Sequence, residues 1–143
     1  MTIKQISVFA ENRAGGILDV IRALGDGGVD IRALNVADTQ GFGILRLIVD
    51  NVEKTKELLT DSGTIFSVTD VVGVKVPDTP GGLSKVLSLL ADHNINVEYL
   101  YAFVSVSGSS AYVVLRVPDN EVAAALLTVN GIELVTEKEI SAL

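Results

Sequence analysis

Val72-Gly73-Val74-Lys75-Val76-Pro77-Asp78-Thr79-Pro80-Gly81-Gly82-Leu83 changes its hydrophobic period part-way along. Apolar residues alternate up to Val76, which is the period of a strand, and then recur at Leu83, Val86, Leu87 and Leu90, which is the period of a helix. A strand therefore feeds a helix through a proline-glycine turn. The arrangement also occurs earlier, where Asn12-Arg13-Ala14-Gly15-Gly16-Ile17 follows Ile6-Ser7-Val8-Phe9 and precedes Val20, Ile21 and Leu24. The two Gly-Gly pairs lie 66 positions apart (81 − 15) in a chain of 143 residues. A period close to half the length marks an internal duplication.

Taken in order, residues 3–9 read as a strand and the helix behind the first turn extends to about Leu24. Gly25-Asp26-Gly27-Gly28 ends it, because glycine accepts the left-handed conformation at a helix C-terminus. Residues 29–38 and 42–49 form a hairpin around Thr39-Gln40-Gly41. Asp50, with Glu53 three residues on, reads as the capping box of a second helix ending near Ser62-Gly63, and residues 64–69 as a fourth strand. The second half repeats the order: strand 71–76, helix 82–91, then strands 95–106 and 111–117 around Ser107-Gly108-Ser109-Ser110. A helix capped by Asp119 or Asn120 and a closing strand at 132–137 complete it. At the 66-residue offset Val20/Val86, Leu24/Leu90, Asp26/Asp92 and Leu34/Leu100 are identical, and Asp92-His93-Asn94 stands where Asp26-Gly27-Gly28 stood. The expected fold is α+β: two tandem ferredoxin-like βαββαβ units, each a four-stranded antiparallel sheet with both helices on one face. They would occupy residues 1–69 and 70–143, rigidly docked, since Thr69-Asp70 is not a Pro/Gly/Ser linker.

Composition narrows the functional classes. A content of 48% hydrophobic residues argues against disorder. No apolar run approaches the roughly 20 residues of a spanning helix, and the first 15 residues lack a secretory pattern. With no cysteine there is no disulfide, thiol nucleophile or thiolate metal site. A cytoplasmic location fits. A net charge of −7 with scattered basic residues argues against nucleic acid and anionic membranes.

The turns offer anion chemistry. The first turn of a helix presents backbone N–H groups and the positive end of the helix dipole. Glycines at 15, 16, 81 and 82 remove side chains that would hold a ligand away. Asn12 and Asp78 lie just upstream, and an anionic Asp78 suits an ammonium. The structural alternative is a tight turn with a capping Asp or Asn. Neither turn carries a dinucleotide or P-loop signature.

Both halves resemble ACT domains, small ligand-sensing units of amino acid metabolism. The second copy carries Val76-Pro77-Asp78-Thr79-Pro80-Gly81-Gly82-Leu83 followed by Asn94-Ile95-Asn96-Val97, and the first carries Glu11-Asn12-Arg13-Ala14-Gly15-Gly16-Ile17 followed by Gly28-Val29-Asp30-Ile31. The resemblance covers essentially the whole chain and implies an amino acid or related carboxylate bound at an interface between units. By position, it implies contacts from Asn12, Arg13, Ala14, Gly15, Gly16 and Ile17, and from Asp78, Thr79, Pro80, Gly81, Gly82 and Leu83. Strand contacts would come from about 34–37 and 100–104, through Asn35 and Tyr101. The first copy departs from the pattern, because Ala14 stands where the proline belongs. A homodimer and a partner enzyme of amino acid metabolism are the implied associations, with no cofactor.

Other chemistry finds little footing. His93 is the single histidine, so a histidine metal cluster is impossible. Glu133, Glu137 and Glu139 read as alternating solvent-facing charge. Tyr99, Tyr101 and Phe103 occupy alternate positions and so share one face of a strand. An acylphosphatase-like enzyme of similar architecture would want an arginine in its phosphate-binding turn; Arg13 is the only candidate, and the second copy has Thr79 there. The reading is a non-catalytic sensor, with a ligand-free interaction subunit as its rival.

Overall fold

The computed structural model describes residues 1–39, 41–104, 108 and 110–143. Strand β1 (Ile3–Glu11) leads to helix α1 (Gly16–Asp26), then β2 (Ile31–Thr39), β3 (Phe42–Val49) and α2 (Val52–Asp61). β4 (Phe66–Pro77) is followed by α3 (Gly82–Asp92), β5 (Tyr99–Ala102), β6 (Ser110–Arg116), α4 (Asn120–Val129) and α5 (Glu137–Ala142). The strands form one antiparallel sheet of six in the order β2-β3-β1-β4-β6-β5.

The α+β antiparallel reading therefore stands, but two sheets of four do not. The strands expected at 64–69 and 71–76 are one strand, β4. Its first half pairs with β1 (Ile3 opposite Val71, Val8 opposite Phe66) and its second half with β6 (Val72 opposite Leu115, Pro77 opposite Ser110). Nothing between Phe66 and Val72 breaks an extended chain, and Val68, Thr69, Val71 and Val72 are β-branched. The closing strand at 132–137 shrinks to one bridge, Leu134 opposite Val74, with Lys75 N–H donating to Glu133 O (2.9 Å) and Val135 N–H to Gly73 O (2.8 Å). Beyond Val135 the Thr136–Glu139 capping box starts α5, which ends the extended backbone. The cap of α2 also differs. Asn51 Oδ1 accepts from Lys54 N–H (3.0 Å), while Asp50 Oδ1 accepts from Asp30 N–H (2.9 Å) and ties α2 to the start of β2. Asp119 caps α4 as expected, accepting from Val122 N–H. Gln40, Ser105, Val106, Ser107 and Ser109, which belong to the two expected hairpins, lie outside the described residues.

Strand alternation sorts the side chains onto two faces. On one, Ile6, Val8, Leu45 and Leu47 pack against Val20, Leu24 and Leu59 of α1 and α2. On the same face further along β4, Val72, Val74 and Val76 pack with Val86, Leu90 and Leu127 of α3 and α4. Burying each such side chain contributes about 1.5–3 kcal/mol. The other face gathers Ile3, Ile48, Val71, Tyr101, Phe103 and Val114, with Val135 and Ile140 closing over it. The sheet curls around this second face until its edge strands meet. Ala33 of β2 bridges Phe103, and Val104 N–H donates to Arg32 O (2.9 Å). Both halves thus share a core inside a nearly closed barrel, with four helices outside it.

Candidate functional site

The two strand-to-helix turns have the same geometry. Thr79 N–H donates to Pro77 O (2.9 Å) and Gly82 N–H to Thr79 O (3.0 Å). Sixty-six residues earlier Arg13 N–H donates to Glu11 O (2.9 Å) and Gly16 N–H to Arg13 O (3.1 Å). Gly15 and Gly81 are the N-caps of α1 and α3, at φ 83° and 84°, left-handed values that glycine adopts without steric cost. The N-cap residues of both helices are these glycines, which have no side chain to cap with. The second glycine of each pair has a different job. A Cβ at Gly82 would lie 2.2 Å from Pro77 O, and one at Gly16 2.4 Å from Glu11 O. Both pairs are therefore required by the turn itself, apart from any ligand.

Electrostatics separate the two turns. Arg13 reaches Glu11 (3.0 Å) and Asp19 (3.3 Å), and its Nη1 donates to Ala14 O (3.2 Å). Glu11 first, then Asp19, hold the Arg13 pKa above its ordinary value. The dipole end of α1 already faces Asp19 in its first turn, whereas α3 has no acidic residue there. The second turn instead opens on a cleft of ≈ 220 Å³ lined by Lys75, Pro77, Gly82, Lys85, Ser110 and Ile132. Lys75 in that wall bonds Glu139 (2.6 Å) and Glu133 (3.4 Å), and the Glu139 bond raises its pKa. Asp78, Thr79, Pro80 and Gly81 are exposed, as are Asn12, Arg13, Ala14 and Gly15, while Ile17 and Leu83 are half-buried against the cores.

Asn35 and Tyr101 lie elsewhere, on the inner face of the curled sheet. Asn35 Oδ1 accepts from Arg46 Nη1 (3.0 Å). Tyr101, 6% exposed, donates its hydroxyl to Gln5 Oε1 (2.6 Å). Gln5 Nε2 in turn donates to the Tyr99 hydroxyl (2.8 Å), and the Arg46 guanidinium lies 3.8 Å over the Tyr99 ring. Burial pushes the Tyr101 phenol up, Tyr99 adds to this, and Arg46 opposes it. Among the described residues, neither Asn35 nor Tyr101 hydrogen-bonds to a turn residue. Gln5 and Arg46, which join them, escape a local reading. Their only signal is a polar residue at alternate positions of an apolar strand, and register alone shows that they meet.

The remaining polar candidates are structural. His93 Nδ1 lies 3.0 Å from Leu89 O at the end of α3. Glu137 accepts from the Lys4 backbone N–H, and Glu133 and Glu139 bind Lys75. Among the described residues no group of acidic or histidine side chains could hold a metal, and no helix is long and apolar enough to cross a membrane.

The chain is similar over its full length to protein BT0572 from Bacteroides thetaiotaomicron, with 32% identity, coverage of 100% of this chain and 98% of that one, and a TM-score of 0.91. The regulatory subunit of aspartate kinase from Thermus thermophilus shares the fold at 17% identity, with 87% and 89% of the chains covered and a TM-score of 0.63. Its counterpart from Thermus flavus does so at 18% identity, 87% and 88% coverage and a TM-score of 0.56. A comparison with curated proteins found no match. The family model described as an ACT domain pair matches residues 1–143, and the chain therefore belongs to the ACT family as a domain pair.

Proposed function

We propose that this ACT pair is a non-catalytic regulator that binds an amino acid or related small carboxylate at its strand-to-helix turns. The observation that carries this reading is the second turn. There the first turn of α3 carries no acidic side chain and borders a cleft lined by Lys85 and by Lys75, which is paired with Glu133 and Glu139. A carboxylate would lie on the amides behind Gly81 and Gly82, with Asp78 at its ammonium. The first turn, with Asp19 and the Arg13–Glu11 pair in place, is the weaker site. The aspartate kinase regulatory subunits with this fold support a partner enzyme in amino acid metabolism. Leu34, Val36, Leu100 and Val104, exposed where β2 and β5 meet, favour a homodimer or docking of that enzyme.

A thermal-shift screen against the twenty amino acids and common metabolic carboxylates tests the reading. Ligand at about 100 times its Kd adds roughly 2.7 kcal/mol and raises the midpoint visibly. We expect a hit that Asp78→Ala weakens and Gly82→Val abolishes. A flat screen at millimolar concentrations would sink the ligand and leave the interaction subunit, to be pursued through the apolar strip at the β2–β5 seam.

A further inference from the structure

We propose that the inner face of the curled sheet around Arg46 is a second ligand site, which takes the carboxylate of a small acid with an apolar body. It is independent of the turns. Register places Asn35, Arg46, Ser7 and Ser67 in one row across β2, β3, β1 and β4. Arg46 is half-buried in this row, yet among the described residues no carboxylate pairs with it, whereas Arg13, Arg32 and Arg116 each hold one. Its acquired partners are neutral: Asn35 Oδ1 at 3.0 Å and the Tyr99 ring at 3.8 Å. A guanidinium has five donors in a planar fork that matches a carboxylate, and among the described residues one of them, Nη1, is spent on a hydrogen bond. In a chain of net charge −7, a partly desolvated cation without an acid is a focused site for an anion.

The surroundings hold that cation in place. Tyr99 lies against Arg46 while its hydroxyl accepts from Gln5, and Gln5, 1% exposed, is fixed from its other end by the Tyr101 hydroxyl. A fixed donor loses little freedom when a ligand arrives. Two residues further along the same strands, on the same face, Phe9 stands opposite Ile44. Phe9 is 42% exposed and Phe42 41%, with ring centroids 6.1 Å apart. A cation and, two residues along the same face, an exposed aromatic pair match a carboxylate carried on an apolar group. Arg46 comes from the first half and Tyr99 from the second, so a ligand on both would clamp the halves together.

If Arg46 is only a strut between the halves, its loss lowers stability and nothing binds. The site is tested by calorimetric titration with phenylacetate, acetate and inorganic phosphate, followed also by tyrosine emission. The chain has three tyrosines and no tryptophan, and two of the three, Tyr99 and Tyr101, lie beside the site. Phenylacetate should bind and perturb the emission, with acetate and phosphate about tenfold weaker or more. Arg46→Gln should weaken phenylacetate by about tenfold or more. Phe9→Ala should bring phenylacetate towards acetate, whereas Asp78→Ala, an exposed change at the turn that leaves the backbone in place, should not weaken phenylacetate. The proposal is overturned if phenylacetate does not bind at millimolar concentration, if phosphate binds as well as phenylacetate, or if Arg46→Gln binds unchanged. Binding kept in Arg46→Gln but lost in Asp78→Ala would move the ligand to the turn. Should circular dichroism show Arg46→Gln unfolded, Phe9→Ala decides: an unchanged phenylacetate-to-acetate ratio overturns the site.

Discussion

A methyl group is enough to disturb either turn, because the Cβ positions of Gly16 and Gly82 point into the carbonyl oxygens of Glu11 and Pro77. Gly82→Ala should therefore cost about 1–3 kcal/mol in urea unfolding, as the backbone has to shift. Gly81→Asn, at φ 84°, should cost about 1 kcal/mol or less, since asparagine tolerates the left-handed region. Asn94 is a natural precedent, at φ 56° in the position where Gly28 stands in the first half. Gln5 poses a different problem, because Gln5→Leu fills its space but leaves two tyrosine hydroxyls without their partner. A loss of about 2–4 kcal/mol is expected, and Tyr101→Phe in the same background should recover part of it. Tyr101 also makes stability depend on alkaline pH. Its phenol is raised in the folded state, so the native protein holds a proton that the unfolded chain releases above about pH 10. Stability is unaffected by this group below that pH and falls as pH rises beyond it, by up to about 1.4 kcal/mol per unit. Urea midpoints at pH 8 and 11 should converge on one another in Tyr101→Phe relative to the parent.

At the scale of elements, α5 shows how a short helix is held by its ends and by one side chain. Thr136 and Glu139 close the capping box at its start, and Arg32 donates to the carbonyls of Ile140 (3.1 Å) and Ser141 (3.4 Å) at its finish. Ile140, 1% exposed, reaches the core shared by β1, β4 and β6. Ile140→Ala should cost about 2–4 kcal/mol by urea titration, more than Glu139→Gln, whose lost cap and half-exposed ion pair are worth about 1 kcal/mol. The sequence pattern points to a strand running into this segment, because Ile132, Leu134 and Val135 are apolar and the Thr136–Glu139 capping box is not followed by a long apolar helical period. Helices α1 to α4 and the two turns were legible, since each rests on local signals: a 3.6-residue period, paired glycines, and capping at Asp119. The single strand β4 was not. Local sequence marks where a strand can run, but whether two extended runs join depends on which neighbours pair with each half. The same limit hid Arg46 and Gln5, whose significance exists only after β1, β3 and β5 are brought together.

For the whole molecule, the duplication in sequence does not produce two independent bodies. β4 belongs to both halves, the edge strands meet through Ala33 and Phe103, and one core cluster takes Ile3, Ala33 and Ile48 from the first half with Tyr101, Tyr112 and Val114 from the second. Each half alone would expose that cluster and leave half of β4 unpaired. At about 70 residues it would also sit near the size at which a core is marginal. Unfolding should therefore be one cooperative transition, with tyrosine emission and far-ultraviolet dichroism giving the same urea midpoint. All three tyrosines, Tyr99, Tyr101 and Tyr112, belong to the second half, whereas helices α1 and α2 of the first half contribute to the dichroism. Emission reports the second half together with its contacts to Gln5 and Arg46, and dichroism the helices of both halves, so halves that melted apart would give the two probes transitions of different shape. A substitution confined to the first half makes the comparison sharper. Leu24→Ala, under α1 and far in sequence from every tyrosine, should lower both midpoints together by the equivalent of about 2–5 kcal/mol. A dichroism transition that split in two would show two bodies linked by a strand, and a ligand at one turn would then have no route through the fold to the other.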